Sequence, residues 1–463
     1  MPWMYTKIFY PQWAFSCLIN MLVGNGTVVN FYEDGVKLLK EHAVYIEANK
    51  IKEVGPFSAL KKEYGKDDFI DAKGMFIMPG NICTHTHFYG AFARGMALKG
   101  EAPKNFVEIL QKLWWKLDLA LTNEDSYYSA LVCLLEAIKS GTTTVIDHHA
   151  SPNSISGSLD YIAKAVKETG ISASLCYEVT DRNGEKGTIE GIKENVRFAK
   201  LCKENKHKNI SAMMGLHASL TLSDATLDLC ANEMKNLGLG SHIHVAEDKA
   251  DVEDSKRRCG KRVVTRLLKH GILNEKSIAA HCVHVSDEEI ELLKEHRVSV
   301  VHNPESNMNN AVGVAPVSKM LSKGVMLGLG TDGMTLDMFK EMRCAYLLHK
   351  LYENDPRALS APDLLRVAYV NNRKIAERIT GRKTGLITNG AEADIILVNY
   401  KPYTPINESN FPWHFVFGID GSMVDTTISN GKVLMQNREI KVLDEDSIVK
   451  KAIELSESAW TRV

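Results

Sequence analysis

A chain of 463 residues with 44% hydrophobic and 24% charged side chains has the composition of a soluble globular protein, long enough for one large domain or two smaller ones. Its 56 basic and 57 acidic side chains leave a formal charge of −1, so neither a nucleic acid nor a membrane surface is indicated as a partner. The nine cysteines are scattered with no C-x-x-C pair, which argues against a disulfide framework and for a reducing, cytoplasmic compartment.

Residues 8–23 are mostly apolar after Lys7 and could be read as a signal peptide or anchor. Pro11, Gln12 and Asn20 interrupt the run, no small-residue cleavage site follows it, and it falls short of the roughly 20 apolar residues of a membrane span. Met21 stands directly before a strand-like stretch. Residues 1–20 are therefore expected to be an N-terminal extension, with Met21 as the natural start. Short strands are predicted at 27–30, 43–47 and 50–54, punctuated by Asp34-Gly35 and Asn49.

From Met75 the rhythm changes. Apolar runs at 75–79, 143–146, 171–177, 211–215, 242–246, 277–281, 298–302 and 325–329 alternate with segments of helical length at 107–119, 124–139, 159–169, 189–203, 224–236, 252–270, 287–295 and 336–351. Eight strands alternating with helices predict an α/β fold, a (β/α)8 TIM barrel over residues 76–385, its last helix at 362–379. Strands return at 394–398, 426–429 and 432–435, the last two joined by an Asn430-Gly431 hairpin turn. Residues 21–75 and 386–440 are expected to form a small composite β-sandwich domain from both chain ends, followed by a helical tail at 441–463.

Four strand ends carry metal-binding chemistry. In Thr84-His85-Thr86-His87 the two imidazoles sit two residues apart, so on a strand they point to one side. Alone, that pair is as readily a coincidence of core or surface histidines. His242 and His244 repeat the pattern, with Glu247 just past the strand end. His281 ends the run 277–281, and Asp332 follows the run 325–329. Strand ends on one face of a barrel converge on one pocket, and four independent hits on histidine or aspartate there indicate a metal site. Imidazole and carboxylate donors suit zinc, and also iron or manganese.

These residues resemble the amidohydrolase superfamily, in its chlorohydrolase/aminohydrolase branch of mononuclear deaminases. The resemblance rests on Met78-Pro79-Gly80, Thr84-His85-Thr86-His87, Ser140-Gly141-Thr142-Thr143-Thr144, His242-Ile243-His244-Val245-Ala246-Glu247, His281-Cys282-Val283, His302-Asn303-Pro304 and Gly330-Thr331-Asp332. Residues 88–96 and 147–152 are similar to the SsnA-type aminohydrolases. The resemblance implies that His85, His87, His244 and Asp332 bind one divalent ion, zinc first among the candidates. It implies that Glu247 carries a proton from water to a ring nitrogen, that His281 orients the water and polarises the developing oxyanion, and that Asp332 doubles as a base. Binuclear members use a carboxylated lysine at the end of strand four. Here residues 213–218 hold His217 and no lysine, which implies one ion. Leu216 and Leu220 depart from the proline and aromatic that the family more often places there, which leaves substrate contacts at that strand open.

On the substrate side, His217 is expected to face the substrate, with a packed supporting histidine as the alternative. Arg94 is a candidate to pin a substrate carbonyl or carboxylate, His148 or His149 to point into the pocket, and Tyr177, Glu178 and Ser306 to shape specificity from loops. Glu136 reads as structural, and the Trp114-Trp115 pair as core with one ring possibly at the pocket or a dimer contact. The basic run at 256–262 follows Asp248, Asp251, Glu253 and Asp254 and reads as a solvated helix face. Gly328-x-Gly330-x-x-Gly333 matches a dinucleotide fingerprint in form, but no Rossmann unit follows it and Asp332 is better used as a ligand. The P-C-x-x-C of the other zinc deaminases, G-x-S-x-G and H-E-x-x-H do not occur.

The expected activity is hydrolysis of a carbon–nitrogen bond other than a peptide bond: deamination of a purine- or pterin-like heterocycle by metal-activated water. Hydrolysis of a cyclic amide or loss of another leaving group is the alternative. A non-catalytic metal- or ligand-binding protein is a third reading, against which the presence of Glu247, His281 and Asp332 together counts. A homo-oligomer, a dimer, is expected from the relatives.

Overall fold

The computed structural model describes residues 20–98, 100–204 and 209–463. The expected extension 1–20 therefore lies outside the described residues except for Asn20, which opens the first strand.

Strands from both ends of the chain share one nine-stranded sheet. They are β1 (Asn20–Tyr32), β2 (Gly35–Glu47), β3 (Lys50–Pro56), β4 (Asp68–Asp71) and β5 (Phe76–Pro79). The order along the sheet continues through strands named below, and β4 branches off β1. Val28 and Val29 of β1 are both fully buried, so this strand is covered on both faces, which its near-continuous apolar sequence requires.

The central parallel strands are β6 (Asn81–Thr86), β7 (Thr142–Asp147), β8 (Ser172–Leu175), β9 (Ile210–Ala212), β10 (Met214–Ala218), β11 (Ser241–Val245), β12 (Ile278–His281), β13 (Ser299–His302) and β14 (Met326–Leu329). They form one sheet in the order β6-β7-β8-β9 and another in the order β10-β11-β12-β13-β14. Met213 alone separates β9 from β10. Two bridges link these sheets: Val179, just past β8, pairs with Leu216 of β10, and Thr86 of β6 pairs with Asp332, just past β14, both in parallel sense. Apart from β9 and β10, helices intervene between successive parallel strands, which gives a TIM-barrel-like α/β architecture. Ile146, Cys176, Met213, Ile278 and Val301 pack together with Ile375 in one buried cluster.

The chain then returns to the first sheet as β15 (Ile395–Val398), β16 (Val424–Ser429), β17 (Lys432–Gln436) and β18 (Glu439–Ile440), with β15 pairing antiparallel to β5. The order is β18-β17-β16-β15-β5-β1-β2-β3.

Several elements differ from the sequence reading. The run 75–79 was expected as the first barrel strand, but β5 lies between β15 and β1. The strand that carries the histidine pair is β6, which begins two residues later. Both stretches are apolar and short, so composition does not separate them. The helix expected over 252–270 is two helices, Lys249–Cys259 and Val263–Lys269, parted at Gly260 with φ of 63°. The segment 107–119 contains a π-helical turn at Leu110–Trp114, between the helices Phe106–Ile109 and Trp115–Ala120.

Candidate metal centre and active site

The ends of β6, β11 and β14 come together in one buried cluster. The ligand atoms of His85, His87, His244 and Asp332 all lie within 4.8 Å of one another. Backbone pairing sets this register: Asp332 N–H and Thr331 N–H both donate to His85 O, and His87 N–H donates to Asp332 O at 3.3 Å. Gly330 has to be glycine for the two chains to approach, since a Cβ there would lie 2.8 Å from His85 N.

The hydrogen bonds decide which ring nitrogens face the centre. His87 Nδ1 is 2.6 Å from His148 O, and His244 Nδ1 is 2.7 Å from His217 O. A carbonyl only accepts, so both Nδ1 atoms carry protons and both Nε2 atoms offer lone pairs. Those Nε2 atoms are 3.1 Å apart, and Asp332 Oδ1 is 3.0 Å from His87 Nε2 and 3.6 Å from His85 Nε2. His85 Nε2 is buried without a hydrogen-bond partner, while its Nδ1 bonds His242 Nε2 at 2.7 Å. Acceptors pointing at acceptors in a buried space is the donor set of a cation site.

The charges agree. Burial pushes His85 down to about 3. Burial also acts to lower His87, but the adjoining Asp332 outweighs it and raises the ring to about 9. A divalent ion competes with that proton for the same lone pair. Burial opposes ionisation of Asp332, yet the adjoining rings of His85 and His87 hold it well below the usual carboxylate range.

A second group adjoins the first. His281 Nε2 lies 3.5 Å from Glu247 Oε2 and 3.9 Å from Asp332 Oδ2. The amide nitrogens of Asn307 and Asn303 approach His281 Nδ1 at 2.8 and 3.4 Å, which makes Nδ1 the acceptor and places the ring proton on Nε2, toward the centre. Ser306 Oγ donates to Asp332 Oδ2. Burial, reinforced by the charge of Asp332, holds the Glu247 carboxyl well above its ordinary range. His281 and Asp332 sit at φ of 71° and 54°, a left-handed backbone that is uncommon for non-glycine residues. A cavity opens over this group. One wall is aromatic, formed by Tyr89, Phe106, Trp114 and Trp115, and His217, Glu247 and Asn310 also line it.

Residues 76–434 match the amidohydrolase family. The chain belongs to that family. The 5'-deoxyadenosine deaminase of Methanosarcina mazei is 38% identical over 451 residues, covering 96% of this chain and 100% of that one. The 5-methylthioadenosine/S-adenosylhomocysteine deaminase of Caldanaerobacter subterraneus is 35% identical over 434 residues, 93% of this chain and 96% of that one. A zinc-bound adenosine deaminase from Xanthomonas campestris has a similar structure, with a TM-score of 0.84 at 25% identity over 96% of this chain and 99% of that one.

In this amidohydrolase the residues expected to contact substrate divide. His217 lines the cavity. It is the extra residue of a bulge, because Leu216 pairs with Ile243 and Ala218 with His244, and a bulge re-aims a side chain at a strand end. Arg94 does not line the cavity: it is exposed, paired with Glu136 beside the C-terminal helix Glu445–Thr461, because the 3-10 turn Phe88–Ala93 carries it outward. His148 is buried beneath the cavity, with Nε2 bonded to the carbonyls of Leu216 and His242 at 3.1 and 3.0 Å. Tyr177 is also buried away from the cavity, against Gly191 and the ring of His149. Both follow strand ends, but their side chains pack between elements.

Several contributors were not assigned a role from sequence. His242 shares a strand face with His244 and serves by holding His85. Asn303, within the quoted His302-Asn303-Pro304, and Asn307 set the tautomer of His281. Asp118 reaches the cavity from the short helix Trp115–Ala120, where periodicity gives only an amphipathic segment; of the Trp114-Trp115 pair, read as core with one ring at the pocket or a dimer contact, both rings line the cavity.

Proposed function

We propose that this chain is a metal-dependent aminohydrolase that deaminates a purine-like heterocycle, with adenosine-type nucleosides as the substrate class. The carrying observation is that the lone pairs of His85, His87 and His244 and a carboxylate oxygen of Asp332 converge beside the Glu247 carboxyl and the Nε2–H of His281. The names of the relatives give the leaving group and ring class.

His85, His87, His244 and Asp332 would hold one divalent ion, with zinc favoured by their donor chemistry and by the zinc of the Xanthomonas enzyme. Iron or manganese suit the same donors. When bound, such an ion lowers the pKa of water toward about 7 and so supplies the nucleophile near neutrality. Glu247 gives its proton to a ring nitrogen next to the amino-bearing carbon, takes one from the attacking water, and returns it to the departing amine. His281 directs Nε2–H at the oxygen as negative charge develops. Asp332 Oδ2, held by Ser306, is placed to receive the remaining water proton and to hand it back to Glu247, which restores both groups for the next turnover. The C–N bond breaks, ammonia leaves, and a carbonyl remains on the ring. The aromatic wall gives a flat ring a surface to stack on.

The same reading includes a closed (β/α)8 barrel over 81–385 beginning at β6, a composite β-sandwich domain from 21–79 and 386–440, and a helical tail over 441–463. The two edge bridges support closure. Among the described residues no helix is long and apolar enough to cross a membrane. The eight described cysteines are free thiols, which supports a reducing, cytoplasmic setting. Leu347, Leu351, Tyr352 and Phe417 expose apolar surface, which supports a homodimer.

Ammonia release from amino-substituted purines and pterins tests the activity, with product mass to separate deamination from ring opening. No release from any compound, with metal bound, would falsify it.

A further inference from the structure

The cavity wall is one-sided in charge. Asp118, Glu178, Glu247, Asp248, Asp251 and Asp332 line it, and among the described residues no lysine or arginine does. One guanidinium stands behind the wall. Arg182 bonds Asp118 at 2.8 Å, lies 3.5 Å from Glu178 and stacks over Trp115 at 4.6 Å. Its single charge is shared between two carboxylates, and Asp118 has the shorter contact.

The histidines around Glu178 approach it only at 3.3 Å and beyond. His148 Nε2 faces two carbonyls, so in the neutral ring Nδ1 is an acceptor. It lies 3.3 Å from Glu178 Oε2, buried and without a hydrogen-bond partner. Thr221 Oγ1 donates to Ala218 O and therefore accepts from His217 Nδ1 at 2.7 Å. His217 Nε2 is then an acceptor as well, 3.9 Å from Glu178 Oε1. Asp118 Oδ1 is also buried without a partner. Glu178 thus keeps only long contacts, to Arg182 at 3.5 Å and to His148 at 3.3 Å, so this corner of the cavity has room for a further donor.

We propose that Glu178 is the specificity-determining residue of this site: its carboxylate accepts an N–H or O–H group of the substrate and excludes substrates that carry a phosphate or carboxylate. The inference rests on the deaminase reading above and narrows it. Of the substrates named for the two relatives, 5'-deoxyadenosine has no charged group and S-adenosylhomocysteine is a zwitterion whose ammonium offsets its carboxylate, so a nucleoside with an uncompensated anion is what isolates the effect. Like charges brought together in a desolvated site cost several kcal/mol.

The test is ammonia release by the metal-loaded full chain from adenosine, 5'-deoxyadenosine, adenosine 5'-monophosphate and adenosine 5'-carboxylate. The inference predicts kcat/KM for the two neutral nucleosides at least about 100-fold above that for the two anionic compounds. In Glu178→Gln it predicts a KM for adenosine raised about 10-fold and a narrower gap between adenosine and its monophosphate. Turnover of the monophosphate within a few-fold of adenosine overturns the inference and leaves the deaminase reading standing. So does a Glu178→Gln enzyme with unchanged KM and discrimination. If that variant does not fold, the wild-type comparison decides alone. Ammonia from none of the four, with metal bound, overturns both.

Discussion

His87 Nε2 lies 3.1 Å from His244 Nε2, although each ring has already committed its Nδ1 proton to a backbone carbonyl. Two lone pairs at that distance repel unless a cation lies between them, and Asp332 brings a negative oxygen to the same place. The catalytic proposal follows from this relationship, because the residues beside it are one proton holder and one donor.

The proton holder comes first. Replacing Glu247 by Gln keeps the shape of the side chain and removes the titrating oxygen. We expect kcat to fall about 10²–10⁴-fold, the range of a lost general acid–base, with metal content unchanged. Ammonia assays and metal analysis on one preparation check this, and activity retained within a few-fold would contradict the role.

His242 supports a ligand without being one. Its Nε2 bonds His85 Nδ1 at 2.7 Å and its ring is fully buried. His242→Phe should weaken metal binding about 10- to 100-fold, as loss of an orienting partner does. Metal titration with a chelator competitor measures the change. An unaltered affinity would mean that His85 is held by packing alone.

Asp118 gives a pH signature. Burial raises its carboxyl to about 6, with Arg182 opposing that shift. Its unfolded value is near 3.9. Between about pH 4 and 6 the folded chain therefore holds a proton that the unfolded chain has lost, so this group's contribution falls as pH rises through the window. Asp118→Asn cannot titrate. Relative to wild type it should gain on the order of 3 kcal/mol from pH 4 to 7, since each pKa unit corresponds to about 1.4 kcal/mol. Denaturant melts at several pH values test this, and a constant difference would contradict it.

The C-terminal helix is tied to the turn that follows the histidine pair. Trp460 Nε1 donates to Phe92 O at 2.7 Å. Trp460→Phe should cost about 1 kcal/mol, the net worth of one such bond. The midpoint of urea unfolding should drop with an unchanged slope.

The metal cluster was legible because strand alternation and strand-end position are written in sequence. His85 and His87, His244 and Asp332 needed only those two rules to be placed on one face of the sheet. What decides direction beyond a strand end was not legible. A bulge turns His217 inward, a 3-10 turn carries Arg94 outward, and packing keeps His148 and Tyr177 under the floor. A π-helical turn in the segment 107–119 changes the phase of the face that brings Trp115 and Asp118 to the cavity, and a regular period cannot announce it. The run 75–79 was misplaced for a different reason: a buried strand of either sheet looks equally apolar, and only its partner β15, some 300 residues later, assigns it.

The most direct measurement is product analysis with 5'-deoxyadenosine and the zinc-loaded full chain. The account predicts ammonia and the corresponding 6-oxo nucleoside in equal amounts, both lost when the metal is removed and restored when it is returned. Unchanged substrate at saturating metal, or turnover that persists without metal, would contradict it.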